Sequence, residues 1–343
     1  MFDPEKIVRD NVRSLTPYSC ARDEYQGSEG IFLDANENPF GTLNRYPDPY
    51  QTKLKAKISR IRDVPVEKIF LGNGSDEIID LCFRIFCKPG TDKALTFSPT
   101  YGMYEVSASI NDVGIIKIPL NKAFQPDFND VKPWFSDKNL KLILICSPNN
   151  PTGNCMNRDV VEKIVNSFTG AVLIDEAYID FAGEASMKEN ICRFPNLIVM
   201  QTFSKAFGMA SVRVGIAFTS PAIVRYFNKM KPPYNISTIN QKAVLRRIRR
   251  ISIYEDQVRQ IKEERARLSS ELRKLPVVVK VFSSDANFLL VKVINANNIY
   301  NYLISNGIIV RNRSSIVENC LRITVGKRSE NNKLLKAFKS YES

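Results

Sequence analysis

Between about residues 66 and 220, short apolar runs alternate with amphipathic stretches. KALTFSPTYG, IIKIPL, KLILICSPNNPTG, AVLIDEAY, NLIVMQTFSK and VGIAFTS each read as a strand that ends in a polar turn. Between them, DEIIDLCFRIFCKPG (76–90) and RDVVEKIVNSF (158–168) repeat apolar residues at the helical spacing i, i+3, i+4, i+7. Strands of nearly continuous Val, Ile and Leu separated by helices predict a mainly parallel sheet covered on both faces. A long charged helix over about 250–272 follows, then a smaller α+β region with the strand-like runs VVVKVF, FLLVKV, GIIVRN and LRITVG. The first 30 or so residues lack the apolar content for a core of their own, so they are expected to pack on that C-terminal region or on a second subunit. The predicted fold class is α/β, with a large domain over 36–245 and a small α+β domain built from both chain ends, 1–35 and 246–343. No repeat, low-complexity tract or long linker interrupts this pattern.

Composition narrows the chemistry. A chain of 343 residues holds two packed domains, and 44% hydrophobic with 25% charged residues fits a soluble globular protein. No apolar run approaches the ~20 residues that span a bilayer, and the opening MFDPEKIVRD has no apolar signal core; the expected location is the cytoplasm. Seven cysteines without a C-x-x-C pair read as reduced, mostly packed thiols. The chain has no histidine. That excludes His-based triads, His metal sites and His general bases, and leaves Lys, Tyr, Asp and Glu for proton transfer. No metal is indicated. The net charge of +13 raises nucleic-acid binding as a possibility, with Arg246-Arg247-Ile248-Arg249-Arg250 as the densest cluster. Elsewhere Lys and Arg are mixed with acids, so the preferred reading is a solvated basic surface compatible with small anionic substrates, with no nucleic acid and no membrane as partner.

The polar residues that end the strands are the candidate chemistry, because ligands of such sheets bind beyond the strands' carboxyl ends. Gly72-Asn73-Gly74-Ser75 precedes the helix that begins near Asp76, which suits a phosphate cradle, although the motif by itself reads more readily as a Ser-capped helix after a tight turn. Asp175 closes the apolar run Ala171–Ile174, where a carboxylate needs a cation, a cap role or an arginine partner. Thr202, Ser204 and Lys205 follow another apolar strand, with Arg213 eight residues beyond the lysine. Nearby cations and desolvation would lower the lysine pKa and permit condensation with an aldehyde, although a lone lysine is ordinarily a surface residue.

Taken in order, LDANENPFG (33–41), NRYPDPY (44–50), GNGSDEIIDLCFRIFCKPG (72–90), SPTYGMYEVSAS (98–109), CSPNNPTG (146–153), DEAYIDF (175–181), TFSKAFGMASVRVG (202–215), GIIVRNR (307–313) and CLRITVG (320–326) cover nearly the whole chain. In this order and spacing they resemble the fold-type I aminotransferases, which depend on pyridoxal phosphate, and within them the histidinol-phosphate aminotransferase family. The resemblance implies a fold-type I large domain and roles for individual residues. Lys205 would hold pyridoxal 5′-phosphate as a Schiff base and move the proton at Cα. Asp175 would pair with the pyridine N–H⁺, and Tyr178 and Asn150 would bond the ring's 3-oxygen. Tyr101 would stack on the ring, unless it is simply a core tyrosine. The phosphate would be held at Gly74, Ser75 and Asp76 with Ser204, Arg213 and Thr202, and by Tyr46 reaching into the partner's site of a homodimer.

For substrate, the resemblance assigns Arg322 as the carboxylate clamp, Arg311 and Tyr18 to the substrate phosphate, and Asn36 and Asn287 to the pocket lining. Arg313 lies near them without a role. The implied reaction passes an amino group between L-histidinol phosphate and 2-oxoglutarate, giving imidazole-acetol phosphate and L-glutamate, as a step of histidine biosynthesis with ping-pong kinetics. Alternatives on the same scaffold are an aromatic aminotransferase or a threonine-phosphate-type decarboxylase; a basic nucleic-acid-binding protein is the remote one. One position departs from the family pattern: Ser211 stands where the pattern has Gly, which would strain the chain if φ > 0 were needed there. The change is expected to be tolerated.

Overall fold

The computed structural model describes residues 4–19 and 30–341. Its large sheet has seven strands: β1 (Ile69–Gly72), β2 (Lys93–Ser98), β3 (Gly114–Pro119), β4 (Leu140–Cys146), β5 (Ala171–Asp175), β6 (Leu197–Thr202) and β7 (Gly215–Thr219), in the order β1-β7-β6-β5-β4-β2-β3. β7 is antiparallel to both neighbours, and the other pairs are parallel.

The continuous apolar runs divide between two faces, because successive strand residues point opposite ways. Ile143, Ile145, Val172, Ile174, Leu197 and Val199 enter one core. Leu142, Leu144, Ala171, Leu173, Ile198 and Met200 enter the other, against the helix Ser75–Phe86. Each fully buried Leu or Ile contributes roughly 1.5–3 kcal/mol, so these strands are fixed in register from both sides. On the first face the helix Arg158–Ser167 buries Val161, Ile164 and Val165; the Asn157 side chain starts it by accepting from the Val160 N–H.

The small domain is a four-stranded antiparallel sheet in the order β10-β11-β9-β8, formed by β8 (Val278–Val281), β9 (Phe288–Val293), β10 (Arg311–Asn312) and β11 (Cys320–Thr324). One face packs Leu289, Val291, Leu321 and Ile323 on the helices Ala296–Ser305 and Arg328–Lys339.

Two expectations about domain limits are corrected. The start of the chain does not join the C-terminal region over its described part: Val8 and Val12 enter the large domain's second core, the Arg9 N–H donates to Ile85 O at 3.0 Å, and Tyr226 Oη donates to Glu5 at 2.5 Å. Val12 in the short helix Asp10–Ser14 and Val8 just before it anchor the segment there. Nor does the large domain end at 245. The helix Ile251–Leu272 places Ile251, Tyr254, Val258 and Ile261 on the large domain and Leu268 and Leu272 in the small one, so the two cores meet along one continuous helix. The arginine cluster before it is only partly solvated, since Arg247 Nε donates to Phe207 O at 2.9 Å. Among the described cysteines, Cys192 is exposed and the others are buried; Cys20 lies outside the described residues.

Candidate active site

β4, β5 and β6 end side by side, with Cys146 opposite Asp175 and Asp175 opposite Met200. Their following turns therefore converge at the sheet's carboxyl edge. A cavity of about 220 Å³ opens there, lined by Ser75, Asp76, Tyr101, Asn150, Asp175, Tyr178, Thr202, Ser204, Lys205, Arg213 and Arg322. Wider surface grooves exist, including one of about 690 Å³ along Asn36–Asp48, but the small cavity is where the ionisable groups converge.

Asp175 is 4% exposed. Its Oδ2 accepts the Tyr104 O–H at 2.8 Å and its Oδ1 the Ala177 N–H at 3.0 Å, which fixes the carboxylate and leaves each oxygen a further lone pair. Burial pushes its pKa up to about 6, against the two hydrogen bonds that favour the charged form. A cation placed in the cavity would lower that pKa again by favouring the charged carboxylate.

Lys205 follows β6 and opens into the cavity, its Nζ 5.6 Å from the Tyr178 ring centroid. Desolvation first, then the Arg322 guanidinium, lowers its pKa; Asp175 and Asp76 oppose that shift. The amine is thus nearer to its nucleophilic form than an ordinary lysine. Asn150 Nδ2 donates to Tyr178 Oη at 3.3 Å, and its Oδ1 accepts from Arg322 NH1 at 2.5 Å. Burial keeps the Tyr178 hydroxyl protonated by raising its pKa, and Arg322 counteracts part of this.

The anion cradle comes from the backbone. The helix Ser75–Phe86 starts after Gly74 with no side-chain cap, so its first N–H groups are available and the Ser-cap alternative falls away. Gly74 sits at φ 81°, and a Cβ there would strike the Arg213 guanidinium. Arg213 itself is left-handed at φ 53° and reaches back to Asp76 Oδ2 at 3.2 Å. Thr202 Oγ1 accepts the Ser204 N–H at 3.0 Å, which turns that loop toward the cradle.

Other assigned residues lie elsewhere in the single chain. Tyr46 lines the groove along Asn36–Asp48 and stacks on Tyr234 with centroids 4.4 Å apart. Asn36 lines that same groove. Tyr18 is 74% exposed and, like Asn287 and Arg311, is outside the cavity lining. Arg311 is the cross-strand partner of Arg322, which keeps it beside the cavity.

Two contributors are not legible as site residues in the sequence. Tyr104 is completely buried and reads as a core aromatic, although its place one helical turn after Tyr101 is the available signal. Gly215 pairs with both Gly72 and Thr202; a Cβ there would lie 2.6 Å from the Gly74 carbonyl carbon and Ser75 N. Its missing side chain lets the cradle backbone cross the end of β7. Ser211 lies in the short 3₁₀ turn Ala210–Val212 and is not among the positive-φ residues. The left-handed position falls two residues later, on Arg213, so serine carries no backbone strain.

Residues 23–338 match the family described as aminotransferase class I and II. A histidinol-phosphate aminotransferase of Cytophaga hutchinsonii is 50% identical over 347 aligned positions, covering 99% of each chain. The solved histidinol-phosphate aminotransferase of Clostridium acetobutylicum superposes with a TM-score of 0.79 at 27% identity, over 87% of this chain and 90% of that one. That of Sinorhizobium meliloti, solved in complex with pyridoxal-5′-phosphate, shares the fold with a TM-score of 0.79 at 22% identity, over 89% of each chain.

Proposed function

The chain belongs to the class I and II aminotransferase family, and on that premise we propose that it transfers an amino group between L-histidinol phosphate and 2-oxoglutarate, yielding imidazole-acetol phosphate and L-glutamate in L-histidine biosynthesis. The observation that carries the substrate is the half-identity to a histidinol-phosphate aminotransferase over essentially the full length.

The family depends on pyridoxal phosphate, and the cavity residues fit it: an anion cradle, a depressed lysine and a buried acid held apart around one small space. When bound, pyridoxal 5′-phosphate supplies an aldehyde for amines and a ring that accepts electrons from Cα. The N–H groups of Ser75 and Asp76, behind Gly74, would hold its phosphate with Ser204, Thr202 and Arg213. Asp175, fixed by Tyr104 and Ala177, would supply the negative charge for its ring nitrogen. Asn150 and Tyr178 would bond its ring oxygen, and Tyr101 would pack on the ring. Lys205 would hold the cofactor through its aldehyde and would accept the proton that leaves the substrate's Cα. Arg322 and Arg311 anchor the substrate's anionic end, with Tyr18, Asn36 and Asn287 around it when the site is complete.

Completion calls for a second copy. Ile31, Leu33, Phe40 and Leu43 are each at least 65% exposed on the arm that carries Asn36 and Tyr46, an apolar surface that a partner would bury. In the homodimer, Tyr46 serves the neighbour's cofactor phosphate. Sedimentation of the holoenzyme at micromolar concentration should give twice the chain mass; a single-chain mass would refute this arrangement. Among the described residues no helix is long and apolar enough to cross a membrane, and we place the enzyme in the cytoplasm.

The deciding experiment is a half-reaction. Holoenzyme mixed separately with L-histidinol phosphate, phenylalanine and threonine phosphate should show the cofactor's absorbance change with the first at roughly a hundredfold lower concentration than with phenylalanine, the scale of one or two charge-assisted hydrogen bonds. Preference for phenylalanine would select an aromatic aminotransferase, and carbon dioxide release from threonine phosphate a decarboxylase.

A further inference from the structure

The small sheet turns the face opposite its helices toward the cavity. Leu289, Val291, Leu321 and Ile323 fill the helix side, so the residues one step out of phase point the other way. Register puts Arg311 opposite Arg322, and the Arg313 N–H donates to Cys320 O at 2.8 Å, carrying the same pairing one step further. Arg311, Arg313 and Arg322 therefore share one face of the sheet, and of these Arg322 lines the cavity itself. Among the described residues none of the three has a carboxylate within ion-pair distance.

Arg322 is held by Asn150 at 2.5 Å and lies over the Phe288 ring at 5.4 Å. Arg313 has no such support: its Nε is buried without a hydrogen-bond partner. Burial first, then its charged neighbours Arg322 and Arg311, lower its pKa, while Tyr178 acts oppositely. Three guanidiniums on one face repel each other unless an anion sits among them. A carboxylate offsets one charge, whereas a phosphate ester carries nearly two negative charges above pH ~6 and offers three acceptor oxygens.

We propose that Arg313 is a third ligand for the phosphate of the amino donor, completing a triad with Arg311 and Arg322 and favouring phosphorylated donors over substrates that carry only carboxylates. This rests on the reading of the donor as L-histidinol phosphate. The terminal nitrogens of Arg313 take phosphate oxygens that the other two arginines leave unmet.

The test uses holoenzyme carrying Arg313→Gln or Arg313→Lys, with the cofactor spectrum as the check on the fold. In Arg313→Gln the KM for L-histidinol phosphate should rise about 10- to 100-fold, the effect of losing one charge-assisted contact, with kcat little changed and the KM for 2-oxoglutarate shifted far less. Arg313→Lys should recover part of the loss, keeping the charge but not the fork. Inorganic phosphate, as a competitor of the glutamate half-reaction, should lose potency in parallel. An unchanged KM for L-histidinol phosphate, or equal losses for both substrates, would overturn the assignment. Should the wild-type enzyme not turn over L-histidinol phosphate, the donor reading fails, and the phosphate competition still decides whether Arg313 binds that group.

Discussion

Lys205→Ala protein should lose amino-group transfer by at least about 10⁴-fold in kcat/KM, since one substitution removes both the tether and the proton carrier. The side chain does little for the fold: its nitrogen faces the Tyr178 ring at 5.6 Å across the cavity, while its backbone carbonyl accepts from the Gly208 N–H at 3.0 Å whatever the side chain. Circular dichroism should therefore be unchanged. Pyridoxal phosphate should still bind through the cradle, and borohydride should no longer fix it to the peptide containing residue 205. Normal turnover, with borohydride labelling moved to another lysine, would remove the basis for every role assigned to this site.

Asp175→Asn should separate activity from stability. Activity should fall about 10³-fold, the scale seen when one preorganised electrostatic partner of the reacting system is removed. The cofactor-free protein should nevertheless become more stable at pH 8. The carboxyl titrates near 6 in the fold and near 3.9 when unfolded, so the native state holds the proton more tightly. Its stabilising contribution is complete below the unfolded value and is lost as pH rises through 6. Asparagine has no such loss, so its advantage is absent near pH 4 and grows to at most about 3 kcal/mol above pH 6. Thermal unfolding of both cofactor-free proteins at pH 5 and pH 8 measures it, and an advantage independent of pH would contradict the buried-acid account. With cofactor bound the order should invert, because the ring cation then compensates the aspartate.

Much of this was legible in the chain because strand composition and turn chemistry agree. The cores of β4, β5 and β6, Leu142–Ile145, Ala171–Ile174 and Leu197–Met200, are apolar, as strands covered on both faces must be, and polar residues at or beyond their ends, among them Asn150, Asp175 and Thr202, line the cavity. β1 was harder to see, since the four residues Ile69–Gly72 are too few to show a period. GIIVRN looked like a full strand, yet only Arg311–Asn312 pair. The Tyr104–Asp175 bond joins residues 71 positions apart, which no local pattern encodes. Tyr46 was assigned only through the family resemblance, since its proposed contact forms across a second chain.

The helix Ile251–Leu272, rooted in both cores, works as a girder. A girder has no joint along its span, so a swing of the arginine-bearing sheet over the lysine must be taken up at the girder's ends and at the thin crossing where the Asp285 N–H meets Gly153 O at 2.7 Å. Any closing stroke is thereby short and directed along one arc. A proline set midway along the girder should slacken the grip on substrate without touching a single group that performs the chemistry.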